Sequence, residues 1–165
     1  MKKICALLLV LTCTVLSASS NNLQDDDSER IAELNAYWDE VSRTVNEGDF
    51  KGYSATFHKD GVFVTGSKNQ AYPISKALER WEQDFIDTKS GKTKTSVEFR
   101  FSRRLGDDAA AHETGMFFYK SVNTEGVVNQ YYIHFEALLV KKGTWQALME
   151  YQKSEGTEKE WNKLK

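Results

Sequence analysis

The chain runs to 165 residues, 40% hydrophobic and 12% aromatic, which suits one domain with a full apolar core. Its 22 basic residues are outnumbered by 24 acidic ones and gather in no stripe, which excludes a counterion-release grip on nucleic acid. Both cysteines, Cys5 and Cys13, lie in the N-terminal apolar run, so no disulfide staples the rest of the chain.

Lys2 and Lys3 precede an apolar stretch over 4–16 and the small residues Ser17, Ala18 and Ser19. A helix over that stretch rises only about 20 Å, short of the roughly 30 Å hydrocarbon layer. Residues 1–19 therefore read as a cleaved signal peptide, and the product as exported, periplasmic or secreted, with no membrane span left. A lipid site at Cys13 is disfavoured because Thr12 stands where Gly, Ala or Ser is normal. Residues 20–28, rich in aspartate, read as a disordered leader.

Ser28 is a candidate N-cap, and Ile31, Leu34, Trp38, Val41 and Val45 then recur on one helical face. Gly48 predicts the stop, and Asp49 the cap of a short second helix carrying Phe50, Tyr53 and Phe57. His58 is then expected to complement that helix's C-terminal dipole, and Asp60 to bond nearby amides in an Asp-Gly turn. A strand over 62–65 and a polar connector lead to Pro73, with Ser75 expected to cap a third helix bearing Leu78, Trp81 and Phe85. Beyond Gly91 the period changes to two. Strands are predicted over 93–105, 109–120, 127–141 and 144–153, and their short turns force an antiparallel meander. The class is α+β, one domain over 29–154, with a tail over 155–165. Thr157 and Glu160 in that tail fit a capping box around Trp161.

The segments Asn46-Glu47-Gly48-Asp49-Phe50, Phe57, Asp60-Gly61-Val62, Glu113-Thr114-Gly115 and Gly143-Thr144-Trp145, in that order, resemble the nuclear transport factor 2-like superfamily, SnoaL-like branch. The resemblance spans most of the chain beyond the leader. It implies three N-terminal helices packed in a strongly curved antiparallel sheet, a cystatin-like cone with a pocket at its mouth. It also implies a homodimer, since relatives commonly pair through the sheet. The superfamily hosts many unrelated activities, so function rests on particular residues. Aligned without a gap to the superfamily's steroid isomerases, this chain has Thr65 at the general-base position and Val41 at the oxyanion-binding one. Neither serves that chemistry.

Within the candidate strand over 127–141, His134 and Glu136 share a face with Tyr132 and Leu138, and on the next strand Glu150 and Gln152 share a face with Gln146 and Leu148. If both sets point inward, His134, Glu136 and Glu150 converge as a catalytic trio able to do acid/base work without a cofactor. The alternative is that they face solvent or a second copy. His112 and Glu113, as neighbours on a strand, point to opposite faces. With only His58, His112 and His134 beyond the signal and no His-x-x-x-His spacing, no metal site is expected. Trp38, Tyr53, Trp81, Tyr132 and Gln152 are the expected ligand-binding set, lining a pocket for a small apolar or amphipathic molecule. The competing reading is a non-catalytic binding or dimerisation module of the periplasm, and a more remote one is an accessory domain of a larger secreted protein.

Overall fold

A computed structural model describes the backbone of residues 20–164 and the side chains of 27–164. The expected signal peptide and the Cys13 position lie outside the described residues. Helix α1 (Ser20–Glu47) begins well before Ser28. The leader expected to be disordered instead continues the helix, and Ser28 is inside it rather than at its cap. Among the described residues, no helix is long and apolar enough to cross a membrane.

The apolar face of α1 buries Leu34, Tyr37, Trp38 and Val41, recurring at three and four residues as a packed helix requires. Gly48 ends it with φ +66, and a Cβ there would lie 2.5 Å from the Lys89 nitrogen and the Phe85 carbonyl. Both facts demand glycine at this crossing. Asp49 then caps α2 (Phe50–Ala55), its carboxylate accepting from the Gly52 amide at 2.9 Å and from Arg43 Nη2 at 2.8 Å.

Strand β1 (Phe57–Thr65) starts five residues earlier than the sequence period suggests, because its register breaks between Phe57 and Val62. Phe57 and His58 therefore belong to a strand and not to a helix end. The Asp60 amide donates to His58 Nδ1 at 3.2 Å, while the Asp60 carboxylate pairs with Lys59 at 2.7 Å. The dipole role expected of His58 and the amide-bonding role expected of Asp60 are both corrected. The polar connector contains β2 (Gln70–Pro73), a hairpin partner for β1. Helix α3 (Ile74–Lys89) is capped at Pro73 without a side-chain bond, so Ser75 sits in its first turn. Burial of Ile74 and Ala77 sets that earlier start.

The meander is β3 (Thr93–Gly106), β4 (Ala110–Asn123), β5 (Val128–Lys142) and β6 (Thr144–Glu155), each antiparallel to the next. Strand β1 closes onto β6 in parallel, giving the order β2-β1-β6-β5-β4-β3. That pairing joins segments about ninety residues apart, which local periodicity cannot announce. The three helices fill the concave side of the curved sheet, around a core where Trp38 meets Phe99, Phe101 and Phe135 with ring centres 4.5–5.5 Å apart.

The tail is part of this body. Helix α4 (Glu158–Trp161) carries the expected capping box, with Thr157 and Glu160 bonding reciprocally. It lays Trp161 on the convex face of the sheet, 5% exposed, under Arg100 and beside Phe118 and Tyr132.

Candidate functional site

A cavity of about 310 Å³ opens between the helices and the concave face of the sheet. Helix α1 contributes Tyr37, Trp38, Val41 and Val45, α2 contributes Tyr53, and α3 contributes Trp81, Asp84, Phe85 and Thr88 at helical spacing. The sheet adds alternate residues: Thr95, Val97 and Phe99 from β3, Phe117 and Tyr119 from β4, Tyr131 and Ile133 from β5. Asp84 of α3 and Tyr131 of β5 are the exposed members of the lining and mark the cavity's rim. Ten of the nineteen lining residues are aromatic.

Glu150 and Gln152 are the polar groups that β6 sends into this space. Trp145 and Ala147 already point inward, being 6% and 2% exposed, so strict alternation would turn both even-numbered residues outward. A bulge reverses the parity. Leu138 pairs with Met149 but Leu139 with Ala147, leaving Leu148 unmatched, and beyond it Glu150 lies opposite Ala137. Ala137 is fully buried, and directly paired side chains share a face, so Glu150 enters the cavity. In the same register Gln152 lies opposite Phe135, itself 1% exposed, and the second break comes only beyond it, between His134 and Phe135. Glu150 and Gln152 do share a face, as expected, but with Trp145 and Ala147 rather than with Gln146 and Leu148.

His134 and Glu136 lie on the other side of the sheet. On β5 the inward positions are Ile133, Phe135, Ala137 and Leu139, so the even-numbered residues face out. The expected trio is therefore not assembled: Glu150 is inside, and the other two members are on the convex surface. There Glu136 accepts from Lys153 at 2.6 Å and stands 3.3 Å from His112 Nε2. His134 Nε2 stands 3.6 Å from Glu160 in a surface hollow under the tail that Lys153 and Lys163 also line. Tyr132, expected among the ligand-binding residues, also faces outward, stacked on Phe118 at 4.6 Å. Trp38, Tyr53, Trp81 and Gln152 line the cavity. Val41 lines it too, and Thr65 is buried with its hydroxyl 3.2 Å from that of Ser67. Among the described residues, no group of three His, Cys, Asp or Glu side chains is arranged to hold a metal.

Two structural groups position the walls. Trp38 donates its indole N–H to Glu113, which is fully buried and also accepts from Arg104. Trp145 donates to Glu33 at 2.8 Å, and Lys141 bonds the same carboxylate at 2.6 Å, stitching α1 to the sheet. Glu113, named above in a family motif and as the neighbour that faces away from His112, anchors a cavity wall; flanked by His112 and Thr114, it carries no local signal for burial.

Inside the cavity, Gln152 Nε2 donates to Glu150 Oε1 at 2.8 Å. Glu150 is half-buried and lines the cavity. Burial pushes its carboxyl above the ordinary glutamate range, and only the Gln152 bond opposes that. Burial likewise raises the Tyr53 and Tyr119 phenols and, with repulsion from Asp87, the Asp84 carboxyl at the rim. The folded chain therefore keeps a proton on Glu150 at pH values where the unfolded chain has released it. Stability is expected to fall as pH rises from the ordinary glutamate value of 4.5 through the higher folded value. Glu150→Gln should flatten that part of the pH profile of the urea midpoint; an unchanged slope would mean the carboxyl does not titrate in the cavity.

No family model matches the sequence, and no curated protein does. Solved structures do. ActVI-ORFA from Streptomyces coelicolor superposes with a TM-score of 0.61 at 18% identity, over 77% of this chain and 97% of its own. A ketosteroid isomerase-like protein from Erwinia carotovora gives 0.57 at 17%, over 78% of this chain and 98% of its own. An NTF-2 like protein of unknown function from Shewanella oneidensis gives 0.59 at 14%, over 74% and 97%. At these identities the likeness establishes the architecture.

Proposed function

This chain has the nuclear transport factor 2-like fold, and from its cavity we infer that it is an exported domain binding one small apolar or amphipathic molecule. The observation that carries this reading is an aromatic hollow of about 310 Å³ with a carboxyl at its base. That is the usual composition of a small-molecule site: apolar walls supplying affinity and a few polar groups setting orientation. Trp38, Tyr53 and Trp81 form the walls, while Glu150 and Gln152 meet the ligand's polar end. A carboxyl that burial holds above the ordinary glutamate range is also suited to cofactor-free proton transfer, with Glu150 as both donor and acceptor. Export is read from residues 1–19.

A second reading, a dimerisation module, is favoured by the convex face. Leu105, His112, Leu138, Met149 and Val62 are successive cross-strand partners and form one row over five strands. Leu105 and Val62 in that row are 43% and 38% exposed. An apolar row of this kind suits the sheet of a second copy. The tail occupies the neighbouring part of the face and leaves this row open.

Titration with 1-naphthol tests the first reading. At a hundredfold excess over Kd, binding adds about 2.7 kcal/mol and raises the melting temperature by several degrees. Val45→Phe, which narrows the cavity, should abolish the shift while the chain stays folded. No shift in the unmutated chain, together with a dimer in sedimentation that Leu138→Arg dissociates, would replace ligand binding with the module reading.

A further inference from the structure

Among the described residues, no lysine, arginine or histidine lines the cavity. Its ionisable inventory is one-sided: Glu150 at the base, Asp84 at the rim, and the phenols of Tyr37, Tyr53, Tyr119 and Tyr131; Thr88, Thr95 and Gln152 are its neutral polar groups. Gln152 satisfies one oxygen of Glu150, and among the described residues none donates to the other. An ionised carboxylate in such a place is costly unless a positive charge joins it. The remaining surface is the faces and edges of Trp38, Trp81, Tyr53 and their neighbours. Aromatic faces attract cations through their quadrupoles, most strongly where water is excluded. An anionic ligand would meet two acids and no counter-charge, and a neutral one would leave Glu150 holding its proton.

The geometry points to an organic cation as the occupant: a protonated amine or quaternary ammonium on an apolar body, its charge seated between Glu150 and the aromatic wall. The inference rests on the ligand-binding reading above and narrows it to a class. Asp84 at the mouth adds negative potential along the entry path, which favours approach of the same class. Every titratable lining group for which a shift is resolved is displaced toward its neutral form, as expected where no positive charge is near.

Three probes of one shape test the assignment on the unmutated protein: (naphthalen-1-ylmethyl)trimethylammonium, naphthalene-1-methanol and naphthalene-1-acetate, each titrated by calorimetry. The ammonium is expected to bind at least about tenfold more tightly than the alcohol, and the carboxylate more weakly than either. Glu150→Gln should remove most of the ammonium's advantage, read as the ratio of the ammonium's affinity to the alcohol's in the same variant. Asp84→Asn, at the exposed rim, should lower the ammonium's association rate and leave the alcohol's rate unchanged. If the alcohol or the carboxylate matches the ammonium in the unmutated chain, the cation assignment is wrong while the ligand site stands. If none of the three binds, the ligand site itself fails and the assignment with it.

Discussion

Glu113→Ala is expected to cost about 3–5 kcal/mol of stability, among the largest effects of any single substitution in this chain. Glu113 is fully buried and accepts from Trp38 and Arg104. Arg104 is anchored further by Asn35 Oδ1 at 2.5 Å and by the Phe101 ring 4.3 Å from its guanidinium carbon, and its Nη2 is already buried without a partner. Removing the carboxylate leaves the Trp38 indole N–H in the core with nothing to accept its hydrogen, and a largely buried guanidinium that has lost its counter-charge and keeps only Asn35 as acceptor. The cost comes from that stranded charge more than from the lost bond. Glu113→Leu combined with Arg104→Met should therefore recover most of the loss, because an apolar pair of similar volume removes both charges together. Urea denaturation of the single and double variants measures this. A single variant within about 1 kcal/mol of the parent would show that the buried charge is tolerated, against the argument. Because Trp38 forms a wall of the cavity, the single variant should also weaken 1-naphthol binding.

Trp161→Ala is the second large effect, with an expected loss of about 3 kcal/mol. The indole is 5% exposed and sits 4.4 Å from the Arg100 guanidinium carbon, while Arg100 Nη1 donates to the carbonyls of Trp161 and Leu164 at 3.1 and 3.3 Å. Its loss uncouples the tail from the convex face and opens Met116, which is 1% exposed in the intact chain. Limited proteolysis should then cut beyond Gly156, and amide exchange should accelerate in the tail before it does in the sheet. Ligand affinity should hold, since the tail and the cavity lie on opposite sides of the sheet. Unchanged proteolysis and stability would show that the tail is not held by this residue.

The elements were legible where local chemistry specifies them. The α1 stripe through Leu34, Trp38 and Val41, the stop at Gly48, the cap at Asp49 and the turn chemistry between β3 and β6 all act over a few residues, and the structure follows them. The capping box at Thr157 and Glu160 is equally local. The start of β1 and the hairpin with β2 were not legible, because their polar, glycine-containing residues become strands only when β6 supplies a parallel partner.

The candidate site divides along the same line. Trp38, Tyr53 and Trp81 project from helices whose buried face the sequence period already defines, and all three line the cavity. His134 and Glu136 were grouped correctly with each other and with Tyr132, yet the period cannot say which side of a sheet is concave. The inward fully buried positions Phe135, Ala137 and Leu139 decide it.

From residue order alone come the α+β class, the helix faces, the antiparallel meander and the absence of thiols beyond the N-terminal apolar run. Tertiary structure alone decided that Glu150 stands inside an aromatic hollow while His134 and Glu136 stand outside it. The physical cause is one unmatched residue: a strand side chain's face depends on counting by twos, and the bulge at Leu148 shifts that count by one. A bulge forms where the curvature of a whole sheet requires it, so its position is a property of six strands together and is not written in any one of them.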